Sequence, residues 1–330
     1  MKKALLLYNP MAGNRKIVGC LDVIAEKLQN LGYILSLYRS DAPGSIEKYI
    51  YEKVTGNIDL ILISGGDGTI NECINGTVKK NLDIPILILP LGTANDFANA
   101  ADIPANIEDT LSLLEDGELT NIDVGKVNGQ YFINVCNMGL FSGVSHEMDL
   151  DMKKDFGKLA YYAKGIGKLQ KYETMDLEIA YEDKVLRGEY TIVFIFNGKG
   201  AGGFNKLAKE ATIQDGYFDV VAVKDVERYE IPRLFIKALQ GEHLSDANVD
   251  YIKISAATIT CKNDKGQFDT DVDGEVGPEF PLHIEVVTNK VRVYLPNPST
   301  QKARNIAKIN DETEKKGYTF NRTQFFGLKS

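Results

Sequence analysis

The chain has 330 residues, 44% hydrophobic and 25% charged, a globular balance that excludes a disordered chain and supplies apolar material for two domains. Lysine and arginine total 38 against 46 acidic residues, and the net charge of −8 argues against a nucleic-acid binder while leaving room for a local basic patch on anionic lipid. The four cysteines lie far apart with no CxxC pair, which excludes a disulfide scaffold and a cysteine zinc site, and no apolar run reaches the roughly 18 residues of a membrane-spanning helix.

In chain order, apolar runs at 4–8, 33–38, 58–63 and 84–89 predict strands, the last two apolar enough to be covered on both faces. Between the first two, Ile17, Leu21, Ile24, Leu28 and Leu31 step by four and three, giving one apolar helix face that ends at Gly32. Further helices are predicted over 45–54, 69–79 and 107–114. Such alternation predicts a doubly wound, mostly parallel α/β domain, whose ligands bind at the carboxyl ends of the strands.

The texture changes after Asp123. Strands are predicted at 131–137, 175–181, 189–196, 218–223, 251–261, 282–287 and 290–295, the last two joined by a tight hairpin at Thr288-Asn289. Helices are predicted at 157–171 and 229–239. This half reads as an antiparallel β-sandwich. A polar tail follows, 299–330, either frayed or packed back on the first domain. The predicted division is 1–125 with 297–330 for the α/β domain, and 126–296 for the sandwich.

The sharpest chemical signal is Ser64-Gly65-Gly66-Asp67-Gly68-Thr69-Ile70-Asn71-Glu72, directly after an apolar strand and opening a helix. Glycines let the backbone approach a ligand, and a helix N-terminus favours phosphate. An aspartate among those glycines would repel phosphate unless a divalent cation such as Mg²⁺ lies between them. A second segment, Leu89-Pro90-Leu91-Gly92-Thr93-Ala94-Asn95-Asp96-Phe97, again sets glycine, hydroxyl and carboxylate at a strand end. With Asn121-Ile122-Asp123-Val124-Gly125, three aspartates, Asp67, Asp96 and Asp123, are expected at or just past strand ends. Asn9-Pro10-Met11-Ala12-Gly13 forms a turn after the first strand. The acidic run Asp269–Glu275 can present a general base through Asp273-Gly274-Glu275, or be a solvated loop, and it lacks the ligand spacing of a calcium loop.

The GGDGTINE and PLGTANDFA segments, in that order, resemble the diacylglycerol kinase catalytic domain, and most of all the soluble bacterial lipid kinases of that family, which include relatives of sphingosine kinase. NPMAG, IDVG, QDGYFDV and DVDGE look like its other landmarks. The resemblance implies ATP bound in the cleft between the two domains and Mg²⁺ on its phosphates. It implies that Asn9, Pro10, Met11, Ala12, Gly13, Ser40, Gly66, Asp67, Gly68, Thr69, Ile70, Asn71, Glu72 and Thr93 line the nucleotide. Asp67, Asp96 and Asp123 would form a water-bridged Mg²⁺ network, with Glu275 the general base and Asp273 the less favoured candidate. Thr212 and Tyr217, by their carbonyl oxygens, and Asp215 would hold a structural Mg²⁺ in the second domain. Two departures stand out: Ala12 replaces a common serine, and Ala208-Lys209-Glu210-Ala211 lacks the proline common before the QDG segment.

The implied activity is ATP-dependent phosphorylation of a lipid hydroxyl, diacylglycerol first among the acceptors, by a cytoplasmic enzyme in peripheral contact with the inner membrane face. For that contact the sequence offers the region 157–171, with Leu159, Tyr161, Tyr162 and Ile166 among Lys153, Lys154, Lys158, Lys164, Lys168 and Lys171. A solvated amphipathic helix packed on the sandwich is an equal alternative. A homodimer is left open. The rival functions are an NAD kinase-like small-molecule kinase, and a nucleotide or lipid sensor without catalysis.

Overall fold

A computed structural model of the chain describes residues 1–139, 173–199, 207–208, 211–227 and 230–297. The predicted helix at 157–171 with its lysine patch, and the tail 299–330, lie outside the described residues.

Four parallel strands form the first sheet: β1 (Lys2–Tyr8), β2 (Tyr33–Arg39), β3 (Leu60–Ser64) and β4 (Ile86–Leu89), in the order β2-β1-β3-β4. Every residue of β3 and β4 is buried, as their unbroken apolar runs require of strands covered on both faces. The helix α1 (Lys16–Asn30) buries Ile17, Ile24 and Leu28, and Gly32 follows at φ +79°. Helix α2 (Ser45–Lys53) lies so close to α3 (Asp67–Lys79) that a β-carbon at Gly76 would stand 2.9 Å from Ile50 Cβ. The predicted helix at 107–114 is two short ones, α5 (Ile107–Leu111) and α6 (Leu113–Asp116), with Asn106 capping the first through the N–H groups of Glu108 and Asp109. A five-residue helix, α4 (Asp96–Ala100), precedes them.

The second half is antiparallel. Its strands are β5 (Glu118–Val127), β6 (Gln130–Phe132), β7 (Val135–Gly139), β8 (Met175–Tyr181), β9 (Lys184–Phe196), β10 (Phe218–Lys224), β11 (Val249–Ile254), β12 (Ala256–Cys261), β13 (Thr270–Val272), β14 (Glu275–Val276) and β15 (Leu282–Leu295). The fold is thus a mixed α/β architecture of two parts, a doubly wound parallel domain and an antiparallel β-sandwich. Phe132 and Phe218 stack at 5.3 Å in the sandwich core beside Met138, Leu177, Tyr190 and Ile259. A smaller cluster with Phe196, Val221 and Leu234 forms under α7 (Ile231–Gln240).

Three sequence expectations are corrected. The run 131–137 is split into β6 and β7 by Ile133-Asn134, and the run 251–261 is split at Ser255, so that β11 pairs with β10 while β12 pairs with β8 and β15. No hairpin forms at Thr288-Asn289: β15 is one strand of 14 residues. It runs antiparallel to β5 on both sides of an irregularity, Val287 opposite Val124 and Val291 opposite Ile122, so residues 288–290 bulge opposite Asp123 alone. β15 also carries the sheet across the molecule, pairing β12 with its first half and β4 with its second. Ile122, Val124, Val291 and Val293 belong to the α/β core, whereas Val127, Leu282 and Ile284 belong to the sandwich core. The change of domain therefore falls inside β5 and β15.

Candidate active site

The loops leaving β1, β3 and β4 meet at the carboxyl ends of the strands. A β-carbon at Gly13 (φ +53°) would stand 1.7 Å from the Leu91 carbonyl oxygen, and one at Gly92 only 2.4 Å from Gly66 Cα. Any residue but glycine would force these turns apart. Asn95, in the left-handed region at φ +53°, donates its amide to the carbonyls of Pro90 (3.0 Å) and Gly92 (3.1 Å) and so closes the third loop on itself. The Asn9 carboxamide oxygen accepts the Met11 N–H at 2.9 Å, and the Asn9 N–H reaches the Ser64 carbonyl at 2.9 Å. Ser40 is tied to the same edge, its N–H donating to the Tyr8 carbonyl at 2.9 Å. Thr93 is exposed on the third loop. Helix α3 starts without a side-chain cap, and its first intrahelical bond runs from the Ile70 N–H to the Gly66 carbonyl. The first-turn N–H groups of Asp67, Gly68 and Thr69 thus have no helical acceptor, an arrangement that attracts an anion.

Carboxylates from both domains converge on that turn. Asp67 accepts the Phe97 N–H at 3.2 Å, joining the GGDG turn to the start of α4. Its carboxyl is raised above the usual range by burial and then by the negative charge of Asp96. From the sandwich side comes the β13–β14 hairpin, turning through Asp273 (φ +52°) and Gly274 (φ +91°), two left-handed residues as a type I′ turn demands. The Asp273 carboxylate accepts the N–H groups of Ile133 (2.7 Å), Asn134 (3.0 Å) and Val135 (2.9 Å). Burial pushes this carboxyl up to about 7 against the lowering effect of those bonds, and the charge of Asp67 adds to the rise. Two residues on, exposed Glu275 reaches across to α3: a β-carbon at Gly68 would lie 3.8 Å from its Oε1. Asp67, Asp96, Asp273 and Glu275 are thereby gathered around one helix start.

Other expected residues go elsewhere. Asp123 is not at a strand end: it lies within β5, 2% exposed, and its carboxylate accepts the N–H groups of Gly216 (2.9 Å) and bulged Asn289 (3.0 Å). Those two bonds explain why 288–290 bulges instead of turning back. Beyond Thr69 the side chains of the first motif are engaged within the protein. Ile70 is fully buried in the core, Asn71 accepts the Asn75 amide at 2.8 Å, and Glu72 accepts the Ile46 N–H at 3.0 Å, clamping α3 to the start of α2. Successive helical residues rotate away from the helix tip, so three more turnward residues cannot all face one ligand.

At the expected structural cation site the Asp215 carboxylate already has protein partners. Asp215 Oδ1 accepts the Tyr217 N–H at 3.1 Å, while Oδ2 pairs with Lys253 Nζ at 3.1 Å, and that ammonium also stands 3.8 Å from Asp219 Oδ2. Thr212 and Tyr217 are exposed beside it. Among the described residues, no group of three or more His, Cys, Asp or Glu side chains suits a metal ion. An ion bound chiefly through water and substrate phosphates, as Mg²⁺ commonly is, requires no such group, and the neighbouring Asp67 and Asp96 carboxylates suit one.

Sequence reading missed the side chains that brace the site. Asn75 bridges α3 to β6, donating to the Tyr131 carbonyl (2.9 Å) and accepting its N–H (3.2 Å). Asn197 donates to the carbonyls of Asp123 (2.9 Å) and Ile133 (3.1 Å). Neither has a local sequence signal, because both partners are remote in the chain.

Residues 3–127 match the family described as the diacylglycerol kinase catalytic domain, and residues 135–295 match the YegS C-terminal NAD kinase beta sandwich-like domain. A diacylglycerol kinase of Staphylococcus saprophyticus is 31% identical over 296 residues, covering 90% of this chain and 96% of that protein. One from Staphylococcus aureus is 33% identical, covering 90% and 93%. A solved structure of a diacylglycerol kinase from Bacillus anthracis superposes with a TM-score of 0.71 at 27% identity, over 91% of this chain and 98% of that one. Both halves are matched in order and the relatives align over nine tenths of the sequence, so the chain belongs to the diacylglycerol kinase family.

Proposed function

We propose that this chain is a lipid kinase that transfers the γ-phosphoryl group of ATP to a lipid hydroxyl, with diacylglycerol as acceptor and phosphatidic acid as product. The observation that carries the reading is Glu275, delivered by the sandwich onto the first turn of α3, where uncapped N–H groups and tight glycine loops await phosphate. Glu275 takes the proton of the acceptor hydroxyl as its oxygen bonds to the γ-phosphorus and the bond to the β–γ bridging oxygen breaks, releasing ADP. The loops at Asn9–Gly13, Gly66–Thr69 and Gly92-Thr93 hold the phosphates in line, so that positioning carries most of the rate. Asp67 and Asp96 would orient Mg²⁺ and its waters, and the ion, when bound, neutralises phosphate charge. Asp123 supports this arrangement through the Gly216 and Asn289 backbone without ligating the ion.

A lipid acceptor implies peripheral contact with a membrane, and ATP as donor assigns that contact to the cytoplasmic face. No helix among the described residues is long and apolar enough to cross a bilayer. The test is transfer of labelled phosphate from ATP with Mg²⁺ to a panel of lipids in mixed micelles, with NAD in parallel. Labelled phosphatidic acid, lost in Glu275→Gln, is the expected result. Labelled NADP would move the acceptor to a soluble dinucleotide. No product from any acceptor, with ATP still bound, would favour a sensor.

A further inference from the structure

We infer that Asp273 is a positioning residue: it fastens the β13–β14 hairpin to the backbone between β6 and β7, and thereby sets Glu275 over the first turn of α3. The inference rests on the kinase reading above, since it concerns how the proposed base is held.

The hairpin is too small to place a side chain by itself. β13 is paired with β7 from Thr270 to Val272, but β14 is an edge strand joined to it by only two residue pairs, Asp271 with Val276 and Val272 with Glu275, and so short a pairing is marginal by itself. Its turn is nonetheless tied down from several directions. The three N–H groups of Ile133, Asn134 and Val135 all converge on the Asp273 carboxylate, Oδ2 serving the first and Oδ1 the other two. In return the Asp273 N–H donates to the Val135 carbonyl at 2.9 Å. Asp271 Oδ1 braces the same turn, accepting the Gly274 N–H at 2.9 Å and the Asn137 amide at 3.1 Å.

This geometry separates Asp273 from Glu275. Both oxygens of Asp273 are engaged by protein N–H groups, while Glu275 is exposed and its carboxylate faces Gly68. The linker that Asp273 grips is also the one whose Ile133 carbonyl is held by Asn197, which in turn holds Asp123. The hairpin is therefore anchored to the junction between domains, and Glu275 inherits its position from that junction. A general base one ångström out of line loses much of its effect, so the clamp should register in turnover.

The experiment compares wild type, Asp273→Asn, Glu275→Gln and the double variant in the diacylglycerol micelle assay. Asparagine tolerates the left-handed turn but replaces one acceptor oxygen by a donor that opposes a protein N–H. Asp273→Asn should lower kcat about tenfold to a hundredfold, with KM for ATP within about twofold, because alignment and not nucleotide binding is lost. The double variant should be no slower than Glu275→Gln alone, because the clamp acts through Glu275. Wild-type kcat in Asp273→Asn, or losses that multiply in the double variant, would overturn the inference; the second result would make Asp273 an independent participant. Peptide-resolved hydrogen exchange over residues 132–136 needs no lipid and reads the clamp directly. Slow exchange in wild type, accelerated in Asp273→Asn, is expected. Amides that exchange as freely as an open loop in wild type would overturn the inference even if the asparagine variant does not fold. A wild type that labels no lipid, or Glu275→Gln with full activity, would instead defeat the kinase reading and leave the exchange result standing.

Discussion

Two acidic regions of this protein read alike in sequence and end up electrostatically opposite. At the start of α3, Asp67 and Asp96 lie beside glycine turns, and the Asp67 carboxyl is raised by burial and by its neighbour's charge. At the start of β10, Asp215 in the preceding turn and Asp219 on the strand flank Lys253, so the positive charge is built into the protein. Each site is an Asp-Gly turn at the mouth of a strand or helix. The difference comes from one remote side chain on β11. An acidic cluster therefore predicts a need for positive charge, and only the fold tells whether a lysine or an external ion meets it.

The largest expected effect sharpens the first region. Glu275→Gln should cost about 10²–10⁴-fold in lipid phosphorylation, the range for loss of a general base, with an unchanged melting curve. A collapsed melting transition would make Glu275 structural. Gly92→Ala should come next. Its new β-carbon would fall 2.4 Å from Gly66 Cα, so the loops must separate. A loss of about 1–3 kcal/mol in urea unfolding is expected from such overpacking, together with weaker ATP binding by calorimetry.

Lys253→Met addresses the second region. It leaves Asp219, itself fully buried, without its ammonium neighbour, and should cost about 1–3 kcal/mol. Without nucleotide, the wild-type melting temperature should not respond to EDTA or Mg²⁺, whereas Mg²⁺ should partly restore the variant. A wild type that EDTA destabilises would mean that a cation and not Lys253 holds this loop. The smallest effect concerns pH. Burial pushes the folded Asp273 carboxyl up to about 7 from an ordinary 3.8, so the folded state binds its proton more tightly than the unfolded chain. Its contribution to stability is fully present below pH 3.8 and is lost as pH rises through about 7. Melting temperatures measured from pH 5 to 8 should fall less in Asp273→Asn than in wild type.

Much of the α/β domain was legible because its signals are local. Runs such as Leu60-Ile61-Leu62-Ile63 and Ile86–Leu89 are apolar throughout, and only a strand covered on both faces accommodates them. The glycine motifs were legible for a similar reason, since Gly13 and Gly92 are required where two backbones touch. β5 was not read as a strand because Asn121, Asp123 and Lys126 interrupt its apolar pattern. Its partner β15 was broken at Thr288-Asn289 because those residues suit a turn. In the fold, Asp123 collects the Asn289 and Gly216 N–H groups and keeps the two strands paired through the bulge. The resemblance places Glu72 and Ile70 along the nucleotide by motif position, whereas the helix turns their side chains to α2 and to the core.

Local chemistry in the sequence determined the element types over most of the first half, the three glycine turns, and the supply of carboxylates for phosphate chemistry. The tertiary structure alone decided which carboxylates meet. Asp67 and Glu275 are far apart in the chain, and what brings them together is the antiparallel return of β15, the bulge opposite Asp123 and the three N–H groups that hold the Asp273 turn. Backbone periodicity is a property of neighbours, whereas the partner of a buried charge is set by packing between segments the sequence does not place side by side.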